Sequence, residues 1–360
     1  MNRNLSHWLG LFARYSGMQQ VLSNVGILGG DIILMFHRIL PSIQIAECFD
    51  PHLVLTEQGF LELLEIVGNE YQLSSLSEMI SHKQHKSSRP RIALTFDDGW
   101  EDTYRIAFPH LKRLNVPATV FLSTNFVGTS HVLTEERLSR IWQHVKQTGH
   151  LLDFRKDLTT WGIPPSTSDR SRLNMVKRIP NAQKTVMLSL LEQVYDVPMV
   201  SHKTFITWPE VQEMAASGIE FGSHTASHLS LTAESDGMVF TDLKQSIESI
   251  TQNVGKAPLW LAYPNGLLDD FVVDAARQIG FLGAVSTRRG NILRDHVRIK
   301  GKDLDPNLYD FLLPRCNIED TCVATSTRAC DPSRFALYLA KHTYAHSYSM
   351  PIRKQLRYVF

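Results

Sequence analysis

The sequence predicts an α/β fold built on parallel strands, and three observations predict it. Short runs rich in strand-forming apolar residues, at Ile32–Phe36, Arg91–Phe96, Ala118–Leu122 and Leu259–Tyr263, read as buried strands. Helical stripes stand between them, so strands alternate with helices, which lie outside a parallel sheet. Two apolar segments also end in residues that carry chemistry. One runs into Asp97-Asp98-Gly99, and the other, Ile219-Glu220-Phe221-Gly222-Ser223, leads into His224 and His228. Barrel enzymes place their sites at such C-terminal strand ends.

In chain order, residues 1–30 have apolar groups at Leu5, Trp8, Leu9, Phe12, Met18 and Val21, close to a helical period. That predicts an N-terminal helical extension, packed on the domain or lying on a membrane surface; its few positive charges favour packing. Asp31–Arg38 is the first strand. Thr56 to Val67 is a helix capped by Thr56, with Phe60, Leu63, Leu64 and Val67 as its apolar stripe. Ser81 to Pro90 is a solvated connector. After the Asp-Asp strand, Tyr104, Ala107, Leu111 and Leu114 form a helical stripe broken by Pro109, and Ala118–Leu122 is the next strand.

From about 128 to 203 the rhythm is interrupted, with helical pieces near Glu135–Lys146 and Ala182–Val194. This predicts a helical insertion on a βα loop, beside the site. Helices follow at Trp208–Ala216, Leu243–Val254 and Asp270–Ile279, strands at Leu259–Tyr263 and Gly283–Thr287, and the domain spanning 31–316 closes after Leu312–Arg315. Residues 317–360 are expected to form a C-terminal tail. Tyr344, Tyr348, Arg353, Lys354, Arg357, Tyr358 and Phe360 read as a solvated or packed terminal helix, or as a contact for an anionic membrane.

At 360 residues, 43% hydrophobic and 20% charged, the chain can bury one large core. A net charge of +1 gives no whole-chain reason to expect nucleic acid. Cys48, Cys316, Cys322 and Cys330 lack paired metal spacing and are too sparse for a disulfide scaffold, so they read as reduced thiols. No run approaches the roughly 18 apolar residues of a membrane span, and no signal-peptide core stands out. The expected location is the cytoplasm, extending to the inner face of the membrane.

Adjacent strand residues point to opposite sides, so Asp97 and Asp98 hold different roles only if the backbone turns there, and Gly99 allows the turn. His224 and His228, four apart, would lie on one side of a helical turn, the spacing of a metal-binding pair. Two histidines and one carboxylate form a common ligand set for a catalytic zinc site that keeps a position open.

Thr95-Phe96-Asp97-Asp98-Gly99 followed by His224-Thr225-x-x-His228 resembles the first and second motifs of the polysaccharide deacetylases, the NodB-homology or carbohydrate esterase family 4 domain. The likeness runs from about Ile32 to about Arg315, through Val116–Leu122, Trp208, Gly218 and Tyr263-Pro264-Asn265-Gly266. It implies a distorted (β/α) barrel, with Asp98, His224 and His228 holding a divalent metal, foremost Zn2+, with Co2+ or Ni2+ as alternatives. Asp97 then corresponds to the general base. Within Tyr263, Pro264 and Asn265, the substrate and oxyanion stretch, the backbone N–H of Asn265 corresponds to the oxyanion donor. The third motif carries Ala262 where the family has Arg. Arg315 is the candidate replacement, or else a surface or core ion-pair partner. No final-motif His follows Pro264. His37 is similar to the His after the first strand of poly-N-acetylglucosamine deacetylases, as general acid or as a structural His.

The resemblance implies removal of N-acetyl groups from an amino-sugar glycan or glycan precursor in exopolysaccharide, lipopolysaccharide or cell-wall biosynthesis. The implied partner is an N-acetylated glycan or lipid-linked saccharide, with peripheral membrane contact as an accompanying expectation. Two alternatives stand: a deformylase of a lipid-linked amino sugar, and a catalytically inactive glycan-binding protein, suggested by the missing third-motif Arg.

Overall fold

The structure is a computed structural model that describes residues 31–42, 53–81, 89–164, 169–198, 204–290, 292, 298–299, 302–303, 309–323 and 330–344. The expected helix at 1–30, Cys48, most of the Ser81–Pro90 connector and the tail beyond 344 lie outside the described residues. The strands are β1 Ile32–Phe36, β2 Arg38–Leu40, β3 Val54–Thr56, β4 Gln72–Leu73, β5 Arg91–Phe96, β6 Ala118–Leu122, β7 Glu220–Ser223, β8 Trp260–Ala262, β9 Gly283–Val285, β10 Arg298–Ile299, β11 Lys302–Asp303 and β12 Cys316–Asn317. The main sheet is parallel in the order β12-β1-β5-β6-β7-β8-β9, with β4 paired to the start of β5.

The chain before β12 draws the two edges of this sheet together. Leu313 bridges Val285 of β9, with Leu313 N donating to Ala284 O at 3.1 Å and Ser286 N to Leu313 O at 2.9 Å. Three residues later Cys316 pairs with Leu34 of β1. The sheet therefore curls into a distorted barrel, and Arg315 falls inside the joining segment.

Strand alternation sorts the core into layers. Ile32, Leu34, Phe36, Ile92, Leu94 and Phe96 pack outward against Phe60, Leu63 and Val67 of the helix Glu57–Glu70, which Thr56 caps by accepting from Gly59 N at 3.0 Å. Phe36 stacks on Phe96 at 5.1 Å, and Phe60 meets both rings edge-on. Fully burying each such side chain contributes about 1.5–3 kcal/mol. Ile33 and Ala93 belong instead with Phe121, Trp260, Val285 and Leu313, the other face of the sheet.

Pro109 does not break a helix. A π-helical turn at Thr103–Ala107 runs without a break into the helix Phe108–Leu114, so Pro109 lies inside a continuous helical run, just after its widened turn. Leu114, expected on the buried stripe, is exposed because it ends that helix. The helices Thr134–Gln147, Leu151–Asp157, Asp169–Val176 and Asn181–Val194 form a separate body, with a core of its own around Leu138, Ile141, Val145, Phe154, Leu188 and Leu191. Beyond β12, Val323, Phe335 and Leu339 are buried in the main core, so the described part of the expected tail is a packed element. No described helix is long and apolar enough to cross a membrane.

Candidate metal centre

Alternation along β5 points Ala93, Thr95 and Asp97 to one side and would send Asp98 to the other. Asp98 escapes that fate because the chain turns left-handed at Asp98 itself (φ +73°) and continues so at Gly99 (φ +82°). The turn therefore begins one residue before the glycine. A side chain at Gly99 would also bring its Cβ to 2.9 Å from Leu122 Cδ2. Holding Asp98 there costs about 1–3 kcal/mol, a strain that concentrates at functional sites.

The histidines do not share a helical turn. They flank a loop after β7, where Thr225 (φ +65°) and His228 (φ +52°) are left-handed and bring the two rings to 5.0 Å. Asp242, buried on the helix Asp236–Val254, accepts from Ala226 N at 2.7 Å and Ser227 N at 3.0 Å, and so pins the loop between them.

Asp98 Oδ1 lies 3.3 Å from His224 Nε2 and 3.4 Å from His228 Nε2, and the three ligand atoms fall within 4.8 Å of one another. A tetrahedral site with ligands at about 2.0–2.1 Å has edges of about 3.3–3.4 Å, so these residues fit a zinc-like ion. The tautomer fits as well. His224 Nδ1 donates to Ala262 O at 2.8 Å, which leaves Nε2 with its lone pair toward Asp98. Trp100 Nε1 donates to Asp98 Oδ2 at 2.8 Å, reserving Oδ1 as the ligand, and the Arg38 guanidinium lies 4.4 Å over the Trp100 ring.

Burial pushes the Asp98 carboxyl up, but the two imidazoles that face it outweigh burial and hold the group well below the usual range. Burial pulls His228 down, and the Glu135 carboxylate beside it, with Asp98, reverses the direction and raises it.

Asp97 stands next to the triad in a different grip. Arg315, wholly buried, reaches it with both arms of the guanidinium, Nη1 to Oδ1 and Nη2 to Oδ2, each at 2.7 Å. Arg315 also donates to Thr95 Oγ1 at 3.2 Å and, through Nε, to Ser286 O at 3.0 Å. Burial raises Asp97, yet the Arg315 charge and hydrogen bonds, together with the nearby imidazoles of His224 and His37, outweigh it and lower the pKa, so Asp97 is ionised. The two sequence readings of Arg315 merge here: it is a core ion-pair partner, and the group it pairs is the candidate base.

His37 follows β1 with Nε2 4.0 Å from Asp97 Oδ2 and a buried Nδ1 that makes no hydrogen bond. Burial lowers its pKa despite Asp97 and Asp98, so the imidazole is neutral at neutral pH. Asn265 sits in a tight turn after β8 at φ +59°, beside buried Pro264, with Nδ2 donating to Glu135 Oε1 at 3.0 Å. Tyr263 departs from the sequence expectation of a substrate contact. Its ring is fully buried and its hydroxyl donates to Phe311 O at 3.2 Å, so the phenol is closed to a substrate.

Two further residues of the centre were not anticipated. Trp100, two residues after Asp98, was within reach of a strand-end reading. Glu135 was not, because it comes from the insertion, and no local pattern marks a helix residue whose partner lies 130 positions away.

A model of the polysaccharide deacetylase family matches residues 84–284, more than half of the chain. The Bacillus subtilis protein YxkH is 30% identical over 126 residues, 34% of this chain and 44% of that protein. A Staphylococcus aureus poly-β-1,6-N-acetyl-D-glucosamine N-deacetylase is 22% identical over 263 residues, 70% of this chain and 63% of that enzyme. The matches thus span less than two thirds of these relatives' own lengths. Among solved structures, a Streptococcus pyogenes deacetylase in complex with acetate superposes with a TM-score of 0.54 at 17% identity, over 86% of this chain and 98% of that one. IcaB from Ammonifex degensii gives 0.51 at 16%, over 86% and 97%. These two likenesses carry the fold, a parallel curled barrel with helices outside. With Asp97, Asp98, His224 and His228 all inside the matched span, the chain belongs to the polysaccharide deacetylase family.

Proposed function

We propose that this protein hydrolyses the N-acetyl group of an N-acetylglucosamine-containing glycan, releasing acetate and a free amine, with the help of a divalent ion, foremost zinc. One observation supports the reading above the others: three ligand atoms converge beside a fourth residue, Asp97, which Arg315 reserves for a separate task. The names of the Staphylococcus aureus relatives support poly-β-1,6-linked N-acetylglucosamine as the substrate class.

When bound, the ion supplies Lewis acidity that polarises the acyl carbonyl and acidifies a water. Asp97 accepts the proton of the attacking water. Arg315 keeps that carboxylate ionised and aimed. The backbone N–H of Asn265 stabilises the negative charge that develops on the acyl oxygen. His37 then hands a proton to the amine nitrogen as the carbon–nitrogen bond breaks. Because burial keeps His37 neutral at rest, the proton it donates is one it first receives, and Asp97 is the neighbour that gains one.

The test is acetate release from β-1,6-linked N-acetylglucosamine oligomers and from lipid-linked N-acetylhexosamine, comparing native protein, metal-stripped protein and Asp97→Asn. Acetate from the native, metal-loaded protein alone supports the reading. Bound metal with no acetate, or with only formate from N-formylated analogues, overturns it.

A further inference from the structure

We propose that Glu135 is a positioning residue for the metal ligand His228, so that the helical insertion sets the metal affinity together with the barrel. The inference rests on the reading that Asp98, His224 and His228 hold a divalent ion.

The two ligand histidines have different supports. His224 Nδ1 is tied to Ala262 O, a carbonyl of barrel strand β8. His228 Nδ1 is buried and makes no aligned hydrogen bond; the group facing it, at 3.2 Å, is Glu135 Oε2, carried by the insertion helix Thr134–Gln147. A carboxylate on one imidazole nitrogen fixes the ring's orientation, leaves the other nitrogen free as ligand, and makes it a better donor. Glu135 Oε1 meanwhile accepts from Asn265 Nδ2, so one carboxylate touches both a metal ligand and the turn proposed to supply the oxyanion donor.

A second feature of the insertion is arranged for Glu135. Lys184, on the helix Asn181–Val194, is 1% exposed, its Nζ makes no hydrogen bond, and it lies 3.8 Å from Glu135 Oε1. A buried ammonium is tolerated opposite a carboxylate and is costly otherwise. Lys184 therefore balances the Glu135 charge from within the insertion. The insertion's returning chain leans on the other side of the centre too. Phe205 stacks on Trp100 at 4.8 Å and pairs with it as a β-bridge, and Trp100 is the donor to Asp98 Oδ2.

The experiment is metal titration of stripped, full-length protein, by competition for Zn2+ with a chromophoric chelator and by the visible absorption of bound Co2+. Four proteins are compared: native, Glu135→Gln, Glu135→Ala, and the double variant Glu135→Ala/Lys184→Met, which removes both charges and so keeps the interior balanced if Glu135→Ala alone fails to fold. Loss of the carboxylate is expected to weaken metal affinity about 10–100-fold in Glu135→Ala and in the double variant, with an altered Co2+ spectrum. Glu135→Gln, which keeps an acceptor oxygen, is expected to recover part of the loss. If native protein binds metal and the folded variants bind it equally tightly with an unchanged spectrum, the inference is overturned while the functional reading stands. If native protein binds none, the functional reading falls and takes the inference with it.

Discussion

Asp97 is held by the barrel alone, through Arg315 in the segment that joins the sheet edges, 218 residues away in sequence, and Arg315 is itself anchored on Thr95 of the strand that carries Asp97. Asp98 and His228, a few ångströms off, lean on chain that leaves the barrel: Trp100 stacked on Phe205, and Glu135 on an insertion helix. The contrast shows how one centre divides its demands. The base needs a fixed charge partner, which strand register supplies inside a close-packed interior. The ligands need orientation, which a body with its own core can supply or withdraw.

The severest way to test that division is at the base. Asp97→Asn should lower turnover by about 10²–10⁴-fold while metal affinity stays native, because no ligand is touched; rate and metal titration on one sample check this. A parallel collapse of metal binding would merge the two regions into one. Arg315→Met leaves Asp97 buried and unpaired, and should cost about 3–5 kcal/mol in denaturant unfolding, a cost that the charge-balanced variant Glu135→Ala/Lys184→Met should escape. Trp100→Phe keeps the stack on Phe205 and removes only the donor to Asp98. It should weaken metal binding about 10-fold in chelator competition and spare the fold.

The mildest perturbation is acid. Asp97, Asp98 and Glu135 all have folded pKa values below their unfolded ones, each because neighbouring positive groups overcome burial. Their contribution to stability is fully present above the ordinary carboxylate range near pH 4 and is lost as pH falls through the lowered values. The thermal midpoint of metal-free protein should therefore drop between pH 5 and pH 3. Glu135→Gln should flatten that drop by the share of one carboxylate.

These contrasts also explain what was legible beforehand. Asp97-Asp98-Gly99 and His224-x-x-x-His228 announce themselves because apolar strands run straight into them, and the helices at Trp208–Ala216 and Asp270–Ile279 follow from uninterrupted local pattern. His37 and Arg315 were nameable only through a missing partner elsewhere. The loop geometry of the histidines was misjudged, since a spacing of four cannot tell a helix from a loop with two left-handed residues. Tyr263 was misjudged as well, because a motif position does not say which way a side chain leaves the backbone. Glu135 stayed hidden because the contact that gives it meaning crosses from one core to another.

The most direct measurement is anomalous diffraction from a crystal of the full chain soaked with Zn2+ or Co2+. The account predicts one strong peak about 2.0–2.2 Å from Asp98 Oδ1, His224 Nε2 and His228 Nε2, with Asp97 still clasped by Arg315 and outside the coordination sphere. A peak ligated by Asp97, or none at these three residues under saturating metal, would contradict it.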